Sequence, residues 1–221
     1  IAGELALDGR IRPIKGALSM ALLARDEGLA GLLVPRDNAE EAAVVDGIDV
    51  VPVSSLSEAV GFLTDQLPLE PASVDIDALF EKAAAYEIDF SDVRGQEAVK
   101  RALIIAAAGA HNILLIGPPG AGKTMLSRRM PTILPSLSIA ESLETTRIYS
   151  ASGELPHGAS LMARRPVRAP HHSASSAALV GGGTIPQAGE VSLSHHGILF
   201  LDEFPEFPRT ILETLRQPLE E

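Results

Sequence analysis

The 221-residue sequence predicts an α/β protein: a small α/β layer over residues 1–67, a linker and short helix over 68–88, and a parallel sheet with flanking helices from residue 89 to 221. Three observations predict it. Apolar strand-like runs alternate with helical stretches in the first part. At residues 111–131 a β-rich run leads through a glycine-rich loop into a helix, and at 198–203 four apolar residues end in two carboxylates.

Taken in order, Gly3 to Ile11 (GELALDGRI) reads as a strand, Leu18 to Glu27 as a helix, and Leu29 to Val34 as an apolar strand. Val45 to Val53 holds another short strand. Ser55 or Ser57 can cap a helix running to about Leu67, with Glu58 early in its first turn. Between Gln66 and Asp77 two prolines and no sustained periodicity mark a linker, which places the domain boundary there.

Beyond the linker, DALFEKAAAYE is a short helix, and the alanine and leucine content of Gly95 to Ala108 predicts a longer one. The run HNILLIG at 111–117 is a strand, and the helix after the loop ends at Pro131. From Pro131 to His196 the prolines and the Gly181 to Gly183 triplet predict an irregular segment with short inserts. GILFLDE then reads as a buried strand, followed by a short amphipathic helix over Arg209 to Gln217. Ile1 precedes a strand-like run directly and Glu221 falls in an expected helix, so both ends read as cuts through a longer protein.

Composition excludes several classes. A hydrophobic content of 46% is that of a globular chain, no apolar run reaches the roughly 18 residues of a membrane-spanning helix, and the first residues lack the pattern of a signal peptide. Zero cysteines remove disulfides, thiolate metal sites and cysteine nucleophiles, which fits a cytoplasmic protein with no membrane partner. The net charge of −11 argues against a uniformly basic nucleic-acid binder. Yet residues 111–172 hold seven basic side chains (Lys123, Arg128, Arg129, Arg147, Arg164, Arg165, Arg168) and three acidic ones, a net of +4 between acidic flanks. Such a centre suits a polyanion; it also fits a lysine serving phosphate among solvated helix faces.

The string Gly117-Pro118-Pro119-Gly120-Ala121-Gly122-Lys123-Thr124 matches the Walker A pattern. Gly117, Gly120 and Gly122 are expected to let the backbone bend and approach phosphates closely. A helix beginning at about Gly122 aims its unpaired amides and positive dipole end at the same anion. Lys123 is expected to reach the β and γ phosphates of ATP, and the Thr124 hydroxyl to ligate Mg²⁺. Asp202 and Glu203 end an apolar strand where α/β sheets place their ligands. Asp202 is the second expected Mg²⁺ ligand, and Glu203 the group that polarises an attacking water, which favours hydrolysis of ATP.

GPPGAGKT with LFLDE resembles an AAA+ ATPase, one of the P-loop NTPases. The segment Phe90 to Gln96 (FSDVRGQ) is similar to the one AAA+ proteins place over adenine, which implies Val93 and Gly95 near the base. Arg164 to Phe207, including the arginine-x-Pro-His-His signature at Arg168 to His172, resembles the YifB/ComM branch of magnesium-chelatase-like AAA+ proteins. The likeness covers about Asp89 to Glu221. Residues 1–67 resemble the same family's amino-terminal domain, itself similar to the C-terminal half of a Lon-type protease domain. Where the Lon family has its catalytic lysine this sequence has Leu18, and the only nearby lysine is Lys15, so a docking module is expected rather than a peptidase.

The resemblance implies a ring, most often a hexamer, with ATP at subunit interfaces, and a motor acting on DNA by branch migration during natural transformation. The 79 positions between Lys123 and Asp202 greatly exceed the roughly 30 residues of a simple βαβ unit. Two alternatives stay open: an ATPase subunit of a magnesium chelatase, disfavoured by the Lon-like module and carrying no expectation of a porphyrin, and a Lon-like protease-associated unfoldase. Val180 to Glu190 is either an ordinary loop or a pore insert, and in the second case Arg164, Arg165 and Arg168 would contact backbone phosphates. His171-His172 and His195-His196 are not expected to bind metal, because neighbouring side chains on extended backbone point apart.

Overall fold

The computed structural model describes residues 1–84, 86–156, 158–184 and 186–216. Along the chain the elements are β1 (Glu4–Leu5), β2 (Ile11–Arg12), α1 (Ala17–Asp26), β3 (Gly31–Pro35), α2 (Ala39–Ala42), β4 (Asp49–Val53), α3 (Leu56–Leu63), α4 (Ile76–Ala83) and α5 (Glu97–Ala108). Then follow α6 (Lys123–Arg129), α7 (Ile139–Ser152), β5 (Val167–Arg168), α8 (Ser176–Val180), β6 (Gly181–Gly182), β7 (Gln187–Ala188), α9 (Glu190–Leu193), β8 (Ile198–Leu199) and α10 (Arg209–Thr214). They divide into two compact units, Ile1–Phe80 with Ile139–Ala163, and Glu81–Ser138 with Arg164–Glu221.

In the first unit β3 and β4 pair in parallel over five positions, Gly31 opposite Asp49 through Pro35 opposite Val53. The strand period of two sorts their side chains to two faces. Leu32, Val34 and Val50 join α1 and α2 in one core, with Ala17, Leu18 and Ala21 from α1 and Ala39 and Ala42 from α2. Leu33, Val51 and Val53 join Ala59 of α3 in a second. Ser55 caps α3 by accepting the Glu58 N–H at 3.2 Å. The expected single strand over residues 3–11 is instead the hairpin β1–β2, because Leu7 to Gly9 form a turn, closed by the Gly9 N–H donating to Ala6 O at 2.9 Å, that reverses the chain.

The same unit contains α7, where an irregular segment was expected. Its buried face carries Ser142, Thr145, Thr146, Tyr149 and Ser150, a helical spacing of hydroxyls rather than aliphatic side chains. Burial costs these groups little, since the Thr145 hydroxyl donates to Glu141 O at 2.8 Å, Thr146 to Ser142 O at 2.6 Å and Ser142 to Met162 O at 2.7 Å. Boundaries at residues 67 and 88 follow chain order, and these units do not, because residues 139–163 pack with the first.

A buried carboxyl joins α7 to α1. Helix α1 starts after Gly16 with no side-chain cap of its own, and Glu41 supplies the missing acceptor. Its Oε1 accepts the Leu18 N–H at 3.0 Å and the Ser150 hydroxyl, while Oε2 accepts Asn38 Nδ2 at 3.2 Å. Lys15 donates to Ser152 O at 2.8 Å.

The second unit has small sheets where one broad parallel sheet was expected. β5 and β8 pair in parallel over two positions, and β6 and β7 form an antiparallel pair. Residues 112–116 make no ladder: Leu115 packs against Phe90, Val93, Leu103 and Leu126, whereas Leu114 and Ile116 are exposed. A parallel strand needs neighbours along its edges and helices over its faces, and among the described residues none runs beside this one. Ile198 to Leu201 are half-buried rather than fully enclosed, for the same reason. Backbone contact between 166 and 197 is close: a Cβ on Gly197 would lie 2.0 Å from Pro166 O. The helix expected over Arg209 to Gln217 is present as α10, and Gln217 lies outside the described residues.

Candidate functional site

The loop expected to hold phosphate runs from Gly117 to Gly122 and leads directly into α6. Gly120 has φ 76° and Gly122 φ 84°, left-handed conformations that favour glycine. Gly117 does not share this need: it has no positive φ, and a Cβ there would rest 3.6 Å from Ala121 Cβ, an ordinary contact. Pro118 and Pro119 lead into the turn at 119–120, and Ala121 precedes the helix. Lys123 Nζ donates to Gly117 O at 2.8 Å and Pro118 O at 3.0 Å. The ammonium therefore lies folded across its own loop.

The two halves of the site meet across 78 residues of sequence, where the Thr124 hydroxyl donates to Asp202 Oδ2 at 2.9 Å. Asp202 Oδ1 accepts the Glu203 N–H at 3.0 Å. Glu203 holds φ 53° and ψ 43°, a left-handed conformation uncommon for a side-chain-bearing residue. Thr124, Asp202 and Glu203 line a cleft of about 400 Å³, together with Arg128, His171 and His172. A hydroxyl beside a carboxylate is an all-oxygen donor set of the kind hard divalent cations take.

The segment before α5 lies against the loop. Val93, expected beside a base, is a buried core residue packed with Phe90, Leu103 and Leu126, and Gly95 turns the chain with φ 70°. Gln96 Nε2 donates to Ala121 O at 3.2 Å, a contact no sequence signal pointed to. Asp89 caps the turn Phe90–Asp92 by accepting the Ser91 N–H at 2.8 Å, and the hydrogen bonds from Ser91 hold its carboxyl below the ordinary aspartate range. Arg129, at the end of α6, donates to Asp89 O at 3.0 Å and lies 3.6 Å from Asp92 Oδ2. The loop's helix and the adjoining segment are thereby held together.

The three arginines considered for phosphate contacts are engaged within their own unit. Arg164 donates to Ala83 O at 2.7 Å and stacks 5.0 Å over the Tyr86 ring. Arg165 donates to Pro135 O, Ser136 O and His196 O. Arg168 makes a two-pronged pair with Glu190, at 2.5 and 2.8 Å. The segment around Gly181 is the β6–β7 hairpin flanked by α8 and α9. The histidine pairs also depart from expectation. Their backbone turns instead of extending, so the rings lie together, with centroids 4.0 Å apart in His171–His172 and 4.1 Å in His195–His196.

Leu18, at the place of the Lon lysine, is fully buried in the first core. Among the described residues no helix is long and apolar enough to cross a membrane.

Known proteins resemble this chain along its whole length. The sequence profile of the family described as magnesium chelatase, subunit ChlI, matches residues 89–221, and a profile described as subunit ChlI of Mg-chelatase matches residues 1–38. The chain is 46% identical over 221 residues to the competence protein ComM of Haemophilus influenzae, covering 98% of this chain and 42% of that protein. It is 46% identical over 224 residues to the uncharacterized protein YifB of Escherichia coli, covering 100% of this chain and 42% of that protein. A shorter likeness, 31% identity over 100 residues, relates 43% of this chain to 12% of the Lon protease of Rhizobium meliloti. The chain thus spans about two fifths of the length of ComM and YifB.

Proposed function

The chain belongs to the YifB/ComM family of magnesium-chelatase-like proteins, and on that premise we propose that it carries the nucleotide site of a Mg²⁺-dependent AAA+ ATPase that works on DNA as a cytoplasmic ring, most simply a hexamer. The observation that carries the reading is the Thr124–Asp202 contact, which brings the loop and the acidic strand end to one point.

In this reading the amides of Gly120 to Lys123 bind the phosphates, aided by the amino end of α6. Lys123 exchanges its two carbonyl partners for the β and γ phosphates. Gly117, Pro118, Pro119 and Ala121 shape the loop, and Val93 and Gly95 shape the wall beside the base. Thr124 and Asp202 would hold Mg²⁺, which when bound neutralises charge on the phosphates. Glu203 accepts a proton from the attacking water. The amino-terminal unit serves as a docking module, consistent with Leu18 buried at the place of the Lon lysine.

Support for DNA comes from the relative named as a competence protein. Arg164, Arg165 and Arg168 are not assigned to it, because their guanidinium groups bind carbonyls and Glu190. The test uses the full-length protein, with ATPase rates measured with and without single-stranded or branched DNA at two salt concentrations. Stimulation that weakens with salt is the expected result. A rate indifferent to DNA, with no salt-dependent binding, would remove DNA from the proposal. Lys123→Ala should abolish nucleotide binding, and Glu203→Gln should retain ATP without turning it over. Normal hydrolysis by Glu203→Gln would show that another group is the base.

A further inference from the structure

The histidine pair after β5 has no part in the chemistry above, yet it lines the same cleft as Glu203. His171 is held by its own turn: Nδ1 accepts the Ser173 N–H at 3.3 Å and lies 2.8 Å from the Ser173 hydroxyl. The His172 ring packs on His171, with planes inclined by 36°. It also meets Phe207 edge-on, at 6.4 Å and 82°, and Phe207 is buried. A ring held on two neighbours has already lost most of its rotamer freedom, so a contact it makes costs little further entropy.

Glu203 has the opposite character. Its side chain is 66% exposed, against 32% for His172. A carboxyl so exposed samples several rotamers, whereas a general base must stay within about 3 Å of the water it activates. Beside it stands His172, whose Nδ1 lies 3.4 Å from Glu203 Oε2.

We propose that His172 is a positioning residue for Glu203, a ring fixed by His171 and Phe207 that restricts the orientation of the carboxylate expected to act as base. This rests on the reading of Glu203 given above. It also assigns a task to the second histidine of the arginine-x-Pro-His-His segment: His172 acts through Glu203, while His171 and Phe207 hold His172.

Two measurements test it in the full-length protein. The first compares kcat, KM and the affinity for a fluorescent ATP analogue among wild type, His172→Ala, His172→Asn, Glu203→Gln and the His172→Ala/Glu203→Gln double variant. His172→Ala should lower kcat by roughly 10- to 100-fold with affinity and Tm unchanged. His172→Asn should recover part of the loss, and the double variant should be no slower than Glu203→Gln in single turnover. An undiminished kcat in His172→Ala, or equal losses in both backgrounds, would overturn the proposal. The second does not depend on turnover: in nucleotide-free protein the His172 ring proton resonances should move on Glu203→Gln and stay in place on Glu206→Gln. Resonances unmoved by Glu203→Gln would overturn it as well. Wild-type protein that hydrolyses no ATP, or a fully active Glu203→Gln, would instead refute the reading beneath it, and each is seen in its own control.

Discussion

Leu29 to Val34 and Ile113 to Ile116 are apolar runs of similar make-up, and they meet opposite fates. In the first, Leu32, Leu33 and Val34 are buried, β4 runs alongside at five positions, and helices cover both faces. In the second, Leu114 is 67% and Ile116 89% exposed, with no ladder on either edge among the described residues. Apolar, β-prone residues define a segment that gains from burial, but the gain is realised only when a neighbouring strand takes up the backbone hydrogen bonds. Proximity in sequence supplies that neighbour to β3, since β4 follows after the short helix α2.

Substitutions can break or sharpen this contrast. The largest effect is expected for Leu18→Ala, which opens a void in the core covering one face of the β3–β4 pair: about 2–5 kcal/mol of stability, read from chemical denaturation. Ser150→Ala comes next, at about 1–3 kcal/mol by the same measurement. It removes the hydroxyl donated to buried Glu41 and loosens α7 from α1. Leu114→Ala should change stability by no more than about 0.5 kcal/mol, because little of that side chain leaves water. A Leu114 effect as large as that of Leu18 would mean the two runs are equally enclosed and would erase the contrast.

The smallest expected effect is a pH dependence at Asp89. Its carboxyl is held below the ordinary aspartate value by Ser91, so the cap is complete above the unfolded-state value and is lost as pH falls through the lower folded value. Hydrogen exchange of the Ser91 amide should therefore lose protection only in acid. Protection lost on raising pH would contradict the direction.

Legibility followed the range of the interactions. Helix α3 was readable from Ser55 and Glu58, and α6 from Gly122 and Pro131, because caps and breakers act within a turn or two. Helix α7 was not, since its buried face is made of hydroxyls that satisfy themselves on carbonyls of their own unit, and no hydrophobic period announces it. Hidden in the same way were the acceptor role of Glu41, 23 residues from the amide it caps, and the meeting of the histidine rings in a turn. The partners of Arg164, Arg165 and Arg168 were hidden too, because they are set by which carbonyls and carboxylates fold near each guanidinium.

By itself the sequence determined the phosphate-loop pattern, the acidic end at Asp202 and Glu203, and the alternation of α1, β3, β4 and α3. Each depends on spacings of a few residues, which the chain carries before it folds. Only the tertiary structure decided that Thr124 meets Asp202, that residues 139–163 pack with the amino-terminal unit, and that His172 stands beside Glu203. Those contacts join residues 31 to 137 apart. Closing loops of that length costs entropy that local preference cannot offset, so packing inside each unit must hold such residues together.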